Sequence, residues 1–169
     1  MTASPKHAIF LSGPIGVGKT TLGRALSASI GSGFIDGDDH SDPDKPWYCS
    51  ILRTSIAMVE TGFAVLERKP AVVIAYPLTC INWIYFRRKF GDASIRTLFI
   101  SLRATFASIV DEGRGRRFDE DEQRRIRIMI AEGYDARPFS DLIVDTDQDS
   151  FQNTLVHLAS ETQRMMRTN

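Results

Sequence analysis

The feature that most constrains this chain is the glycine-rich turn GPIGVGKT, which runs from Gly13 to Thr20. The apolar run 7–12 precedes the turn and predicts a buried strand, and 20–30 predicts a helix after it. The glycines let successive backbone N–H groups point toward one place, where they form an anion site with the amino end of the helix. Because strand, turn and helix occur in the order that such loops require, the sequence predicts a site for a phosphate chain.

The side chains of this turn have separate predicted roles. Lys19 can reach the β- and γ-phosphate oxygens, and Thr20 offers a hydroxyl to Mg²⁺. ATP is the expected nucleotide because the chain contains no Asn-Lys-x-Asp sequence of the kind that reads guanine. The alternative is a strand-to-helix turn without a ligand. The candidate nucleotide-binding residues of the turn are Gly13, Pro14, Ile15, Gly16, Val17, Gly18, Lys19, Thr20 and Thr21.

Apolar runs and helical patterns alternate along the chain, which predicts an α/β fold with a parallel sheet and helices on both faces. We expect a single domain spanning 1–169, a length sufficient for a core of its own. The predicted strands are 7–12, 34–36, 71–76, 96–102 and 141–146. The predicted helices are 20–30, 47–67, 79–90 with a stop at Gly91, 104–112, a helix that opens after Asp119, and 151–165.

Charge and composition narrow the class of protein. Lys+Arg and Asp+Glu are both 21, so the chain lacks the basic excess typical of nucleic-acid binding. No apolar run approaches the length of a membrane span, and the opening MTASPKHAIF does not resemble a signal peptide. Cys49 and Cys80 have no metal-type spacing. We therefore expect a cytoplasmic monomer or homodimer that acts on a small molecule, with neither nucleic acid nor membrane as a partner.

Three acidic residues lie at the carboxyl end of the second predicted strand, in the stretch FIDGDDH. Ligands of parallel sheets bind at the carboxyl ends of the strands, so we expect Asp36, Asp38 and Asp39 near the phosphate site. Phosphoryl transfer requires a carboxylate that orients the acceptor hydroxyl and takes its proton, and Mg²⁺ prefers oxygen ligands. Asp38 is the candidate base and Asp36 the candidate metal-side acid. The alternative is a solvated turn between strand and helix.

The segment EGRGRRF, rich in glycine and arginine, lies between two predicted helices. Guanidinium groups stabilise the charge on a transferred phosphoryl group, and Gly113 and Gly115 would allow a lid to move. We therefore predict a short arginine-bearing lid in which Arg114 contacts the nucleotide and Arg116 or Arg117 acts in catalysis. The alternative is a solvated basic turn before the next helix.

Taken together, these motifs resemble the small P-loop kinases of the shikimate kinase and gluconate kinase group. GPIGVGKTTLGRAL is similar to the shikimate kinase opening, FIDGDD resembles the gluconate kinase second strand, RGRRF falls at the family's lid, and DLIVDT resembles its adenine-side loop. The resemblance implies a five-stranded parallel sheet, ATP, Mg²⁺ and transfer to a hydroxyl of a small polar metabolite. It also implies that Arg53 and Arg137 bind substrate and that Asp36 and Asp38 occupy the family's Asp-x-Asp positions.

The chain departs from both kinases after the third predicted strand, where its sequence is AYPLTC. Shikimate kinases have three consecutive glycines there, and gluconate kinases have a Cys-Ser-Ala-Leu-Lys-like turn. Tyr76 is therefore a candidate wall of the acceptor pocket, and packing in the core is the alternative.

The predicted function is transfer of the γ-phosphoryl group of ATP to a hydroxylated metabolite, such as a shikimate- or gluconate-like acceptor. In this hypothesis Lys19 and a lid arginine neutralise charge, Thr20 and Asp36 hold Mg²⁺, and Asp38 orients the hydroxyl. Two alternatives stay open. One is a phosphotransferase acting on an antibiotic or a nucleotide, and the other is an ATP-binding module that regulates a partner with little transfer activity.

Overall fold

Five strands linked by helical crossovers form the framework of the chain. The structure is a computed structural model that describes residues 5–41, 44 and 47–168. The strands are β1 (His7–Ser12), β2 (Gly33–Asp36), β3 (Ala71–Ala75), β4 (Arg96–Arg103) and β5 (Leu142–Asp145). The helices are α1 (Lys19–Ile30), α2 (Trp47–Arg68), α3 (Cys80–Asp92), α4 (Phe106–Val110), α5 (Glu120–Ala131) and α6 (Phe151–Thr168). Short 3-10 helices cover Gly37–His40 and Glu112–Arg114.

The strands form one parallel sheet in the order β2-β3-β1-β4-β5, which confirms the predicted fold class. β1 is central: Leu11 lies opposite Ala75 on one side and Ile100 on the other. All six residues of β1 are buried because helices cover both faces of the sheet. This burial explains why the strand is a continuous apolar run rather than an alternating one.

The two faces of the sheet carry two separate hydrophobic clusters. Successive side chains of a strand point to opposite faces, so Ile9 and Leu11 join the cluster with α1, α5 and α6. Phe10 enters the other cluster, among α2 and α3, where its ring stacks on Phe99 with centroids 5.1 Å apart and contacts Phe86 at 4.8 Å. Complete burial of a side chain of this size stabilises a fold by about 1.5–3 kcal/mol.

The strand order places a crevice at the carboxyl end of β1. The chain leaves β1 for β2 at the edge of the sheet, returns to β3 beside β1, and then crosses to β4 on the other side of β1. Neighbouring connections therefore leave the sheet in opposite directions beside β1, and ligands of open α/β sheets bind at such a reversal. The turn from Gly13 to Gly18 begins directly above this point.

Two predicted helix ends are wrong. α3 continues through Gly91 to Asp92, because Gly91 has ordinary helical geometry and the left-handed residue that follows the helix is Ser94, with φ 58°. The predicted helix 104–112 is only the five residues of α4, since Thr105 caps its start through the amide of Ser108 and extended backbone at Asp111 ends it. The predicted capping box of α5 is confirmed, with Asp119 and Glu122 exchanging side chain-to-backbone hydrogen bonds.

Across the described residues, the helices are too short or too polar to cross a membrane.

Candidate active site

The turn between β1 and α1 has the backbone that an anion site requires. Gly16 has φ 77°, and a Cβ there would lie 2.6 Å from Cζ of Phe118 and 2.8 Å from Cγ2 of Ile109, so only glycine fits. Gly18 is the N-cap of α1 with φ 106° and no side-chain cap. The first amides of α1 therefore keep their hydrogen-bonding capacity for a ligand.

Lys19 is held across the turn that precedes it. Its Nζ donates hydrogen bonds to the carbonyl oxygens of Pro14 at 2.7 Å and Gly13 at 3.0 Å. Burial lowers the pKa of Lys19 to about 8, and the negative charges of Asp38 and Asp36 oppose this shift. The ammonium group is thus still charged at neutral pH and poorly solvated, which favours its pairing with phosphate oxygens.

Thr20 and Asp36 join α1 to the end of β2. The hydroxyl of Thr20 donates to Oδ2 of Asp36 at 2.8 Å, and Oδ1 of Asp36 accepts from the amide of Asp38 at 3.2 Å. The second contact caps the 3-10 helix Gly37–His40, which fixes the backbone that carries Asp38. The predicted metal-side pair is therefore in direct contact, although the residues are 16 positions apart.

Asp38 lies on the wall of a cavity of about 460 Å³ that the loop residues and Lys19 also line. Burial raises the pKa of the Asp38 carboxyl, the charge of Asp36 raises it further, and Lys19 and Arg116 act in the opposite direction. A carboxylate with a raised pKa is a better proton acceptor than a solvated one. Asp38 thus shares the cavity with Lys19 and the phosphate turn.

The arginine-rich segment 112–118 also contributes to the wall of the cavity. Arg114 lines the cavity and donates from NH2 to the carbonyl of Thr146 at 2.9 Å. Arg116 also lines it, paired with Glu122 at 2.7 Å and stacked over the ring of Phe118 at 4.6 Å. Since the Phe118 ring packs against Gly16, the segment rests directly on the phosphate turn.

Arg117 has a different position from its two neighbours. It pairs with Glu112 at 3.0 Å, its side chain is 83% exposed, and it does not line the cavity. Of the two arginines predicted for catalysis, the structure thus brings Arg116 to the cavity and leaves Arg117 outside.

Of the three predicted acceptor-side residues, Tyr76 and Arg137 both lie near Tyr134, and Arg53 lies elsewhere on the surface. Tyr76 lies near Asp38, since burial and the charge of Asp38 both raise the pKa of its phenol, and its ring packs on Gly37. Arg53 is exposed on α2 and does not line the cavity. Arg137 donates from its guanidinium to two backbone carbonyls. Of these three side chains, only Tyr76 lies beside the candidate base.

Two contributors to the site have weak sequence signals. The hydroxyl of Thr146, just after β5, donates to the carbonyls of Val17 at 3.1 Å and Arg103 at 3.3 Å, which fixes the turn to the sheet. Phe118 covers Gly16 although it stands in a strongly charged segment. An isolated aromatic among charged residues was the only signal for Phe118, and Thr146 was recognisable only as part of the stretch DLIVDT.

The oxygen ligands available near Lys19 suit Mg²⁺ bound together with a nucleotide better than they suit a metal ion bound by protein side chains alone. Within 5–41, 44 and 47–168, no three His, Cys, Asp or Glu side chains form a metal-binding group. Mg²⁺ in nucleotide sites takes one or two protein oxygens and completes its shell with phosphate oxygens and water. The contact between Thr20 and Asp36 supplies such oxygens beside the phosphate turn, so the residues present fit the ion.

Comparison with curated proteins finds shikimate kinases, although no family model matches the chain. A shikimate kinase from Marinomonas sp. (strain MWYL1) is 49% identical over 43 residues, or 23% of this chain and 24% of that protein. The chain thus spans about a quarter of the length of this relative. A shikimate kinase from Buchnera aphidicola subsp. Acyrthosiphon pisum is 27% identical over 174 residues, covering 90% of this chain and 94% of that protein.

Solved structures extend the likeness to other kinases. A gluconokinase from Sinorhizobium meliloti 1021 has a TM-score of 0.68 at 18% identity, over 97% of this chain and 99% of that one. A shikimate kinase from Acinetobacter baumannii, in complex with shikimate, has a TM-score of 0.55 at 18% identity, over 98% and 95%. The APS kinase of Mycobacterium tuberculosis, in complex with AMPPNP and APS, has a TM-score of 0.60 at 16% identity, over 98% and 99%.

The fold and the phosphate turn resemble those of small-molecule P-loop kinases. Within that class, the likenesses to shikimate kinases and to a gluconokinase confirm the predicted resemblance to this group.

Proposed function

We propose that this protein is an ATP- and Mg²⁺-dependent kinase that phosphorylates a hydroxyl of a small polar metabolite. The observation that carries the proposal is the geometry around Lys19. The uncapped start of α1 and the poorly solvated ammonium group of Lys19 lie at one cavity. Thr20, which contacts Asp36, lines the same cavity, as does Asp38. Phosphoryl transfer requires a phosphate site and an acceptor carboxylate together.

The phosphate turn supplies binding and charge neutralisation in this proposal. Backbone amides from Gly16 to Thr20 would bind the β-phosphate oxygens, and Lys19 would exchange its two carbonyl acceptors for phosphate oxygens. Thr20 and Asp36 would hold Mg²⁺, which neutralises phosphate charge when bound. The exchange is favourable because a charge-assisted hydrogen bond is stronger than one to a neutral carbonyl.

Asp38 would accept the proton of the acceptor hydroxyl. The hydroxyl oxygen attacks the γ-phosphorus, the bond from that phosphorus to the β–γ bridging oxygen breaks, and the hydroxyl proton passes to the Asp38 carboxylate. The raised pKa of Asp38 suits this role, since a more basic carboxylate takes the proton more readily. Arg116, which lines the same cavity, would stabilise the charge on the transferred group.

A panel of acceptors tests the proposal. ATP consumption is measured in a coupled assay with sugar acids, cyclic polyols, nucleosides and aminoglycosides, each with and without Mg²⁺. We expect one class to raise consumption well above the rate without acceptor, and only with Mg²⁺ present. Calorimetry that shows no heat of Mg-ATP binding to folded protein would refute the proposal.

A nucleotide or antibiotic acceptor is the second candidate. The likeness to the Mycobacterium tuberculosis APS kinase favours it, because that structure is as similar to this chain as the shikimate kinase is. The aromatic residue Tyr76 beside Asp38 supports the same candidate, since an aromatic ring can stack on a base. The nucleoside and aminoglycoside arms of the panel separate this candidate from a sugar-acid kinase.

A further inference from the structure

The guanidinium group of Arg137 is committed to the protein's own backbone. Its Nε donates to the carbonyl of Leu78 at 2.9 Å, and its NH1 donates to the carbonyl of Glu132 at 3.0 Å. The same group lies over the ring of Tyr134, 3.8 Å from the centroid. Two N–H donors and one face of the Arg137 guanidinium group are thus engaged by other parts of the protein.

These contacts join two distant parts of the chain, one of which reaches the cavity through Pro77. Leu78 belongs to the turn 76–79 between β3 and α3, which we call the acceptor turn. Glu132 is the C-cap of α5, the helix that begins directly after the arginine-bearing lid segment 112–118. Arg137 therefore connects the far end of the lid helix to the acceptor turn.

The acceptor turn in turn contacts the segment that carries the candidate base. The amide of Leu78 donates to Oγ of Ser12 at 2.9 Å, and Leu78 is fully buried. Two positions earlier, Tyr76 packs its ring against Gly37, so closely that a Cβ on that glycine would lie 2.3 Å from the ring. Gly37 directly precedes Asp38, so the position of the turn bears on the position of the base.

We infer that Arg137 is a positioning residue: it holds the acceptor turn against the lid helix and thereby keeps Tyr76 and Asp38 in place. The resemblance implied instead that Arg137 binds substrate. The consequence for catalysis rests on the proposed kinase function, whereas the consequence for the acceptor turn does not. Removing the cation takes a donor from the part-buried carbonyl of Leu78, whereas the exposed carbonyl of Glu132 can bind water instead.

Hydrogen exchange in the nucleotide-free protein tests the structural part. We expect Arg137→Met to raise the exchange rates of the amides in 76–79 by tenfold or more, while β1 and α1 exchange as in the parent. Arg137→Lys should recover part of the protection, because one ammonium group can still reach one carbonyl. Arg88→Met, which removes an exposed arginine from neighbouring α3, is the matched control and should change neither region.

A second measurement separates positioning from general stability and from carboxylate binding. With Mg-AMPPNP added, we expect the parent to gain protection in both 112–118 and 76–79, and Arg137→Met to gain it in 112–118 alone. In turnover with the acceptor that the panel selects, Arg137→Met should lower kcat about tenfold and leave the acceptor KM within twofold.

Three results would overturn the inference. Unchanged exchange in 76–79 of the nucleotide-free Arg137→Met protein would show that Arg137 does not hold the turn. A rise in KM confined to acidic acceptors, at unchanged kcat, would return Arg137 to substrate binding. A uniform rise in exchange throughout Arg137→Met, not relieved in Arg137→Lys, would assign it a general stabilising role. Failure of Mg-AMPPNP to bind the parent would refute the kinase proposal and leave the nucleotide-free result to decide the role of Arg137.

Discussion

The two sides of the cleft use their charged side chains differently. On the phosphate side, Lys19 and Thr20 line the cavity, and Thr20 contacts Asp36. On the acceptor side, Arg137 donates to backbone carbonyls and Arg53 lies on the solvent face of α2. Lys19 also donates to carbonyls, but these belong to its own turn and the side chain lines the cavity, whereas the acceptors of Arg137 belong to distant segments and Arg53 does not line the cavity.

This contrast has a physical origin. A phosphate turn is local: its amides and its lysine are placed by eight consecutive residues and one helix start. The acceptor side is assembled from β3, α3, α5 and the segment before β5, so a long cation there can instead satisfy carbonyls from distant segments. An arginine with five donors does this readily.

The strongest test of the phosphate side is Lys19→Ala. We expect kcat/KM for ATP to fall about 100- to 1,000-fold, since one preorganised cation at the transferred phosphates is lost. Thermal melts should match or exceed those of the parent, because burial disfavours the charge of Lys19 in the free protein. Lys69→Ala, at an exposed lysine after α2, is the control. Retained transfer with an unchanged melt would remove Lys19 from the mechanism.

Asp38→Asn tests the candidate base, which lines the same cavity as the phosphate turn. We expect a roughly 100-fold lower rate of the chemical step, measured in single turnover, because the amide cannot take the hydroxyl proton. Mg-ATP affinity measured by calorimetry should stay nearly unchanged. Asp39→Asn, at the exposed neighbour, serves as the control. If Asp38→Asn abolished ATP binding instead, Asp38 would belong to the metal side.

The pH dependence of nucleotide binding sharpens the comparison further. The pKa of Lys19 is about 8 in the free protein, and a bound polyphosphate would raise it, because the anion favours the charged form. Above pH 8, binding must therefore take up a proton, and affinity should fall by up to about tenfold per pH unit until the pKa of the complex is reached. Titration calorimetry between pH 7 and 10 measures this, and a flat profile would contradict it.

The smallest expected effect concerns the lid. Glu122→Gln removes the charge that pairs with Arg116 but keeps a residue that can complete the capping box with Asp119. The pair is half-exposed, so we expect a modest loss of about two- to fivefold in kcat. Glu112→Gln, which releases Arg117 outside the cavity, should leave kcat unchanged. Equal effects of the two variants would mean that the lid responds only to net charge.

Most of the fold was predictable because its signals are local. Runs such as AVVIA predicted buried strands, and the pattern Asp119 to Glu122 predicted the start of α5. The errors in helix ends occurred where the tertiary structure overrides a local sequence preference. Glycine is a common helix terminator, yet Gly91 stays inside α3 and Ser94 takes the left-handed conformation after it. Predicted bounds elsewhere differ from the structure by one to three residues, as expected of frayed ends.

The candidate site likewise contains residues that were predictable from local sequence and residues that were not. The phosphate turn, Thr20 and the acids after β2 were predictable, because each follows a strand whose carboxyl end had to face the cleft. Which of Arg114, Arg116 and Arg117 lines the cavity was not predictable, because neighbouring residues of an irregular segment differ only in the direction of their side chains. Glu122 and Phe118 decide that direction through contacts with Arg116.

By itself, the sequence determined the parallel sheet, the phosphate turn and the identity of the groups beside it, because hydrophobic runs and glycine spacing act over a few residues. Only the tertiary structure decided which distant groups meet. Arg137 reaches Leu78 across 59 positions and Thr146 reaches Val17 across 129. A buried carbonyl takes whichever donor the packing brings to it, and the order of residues along the chain does not record that choice.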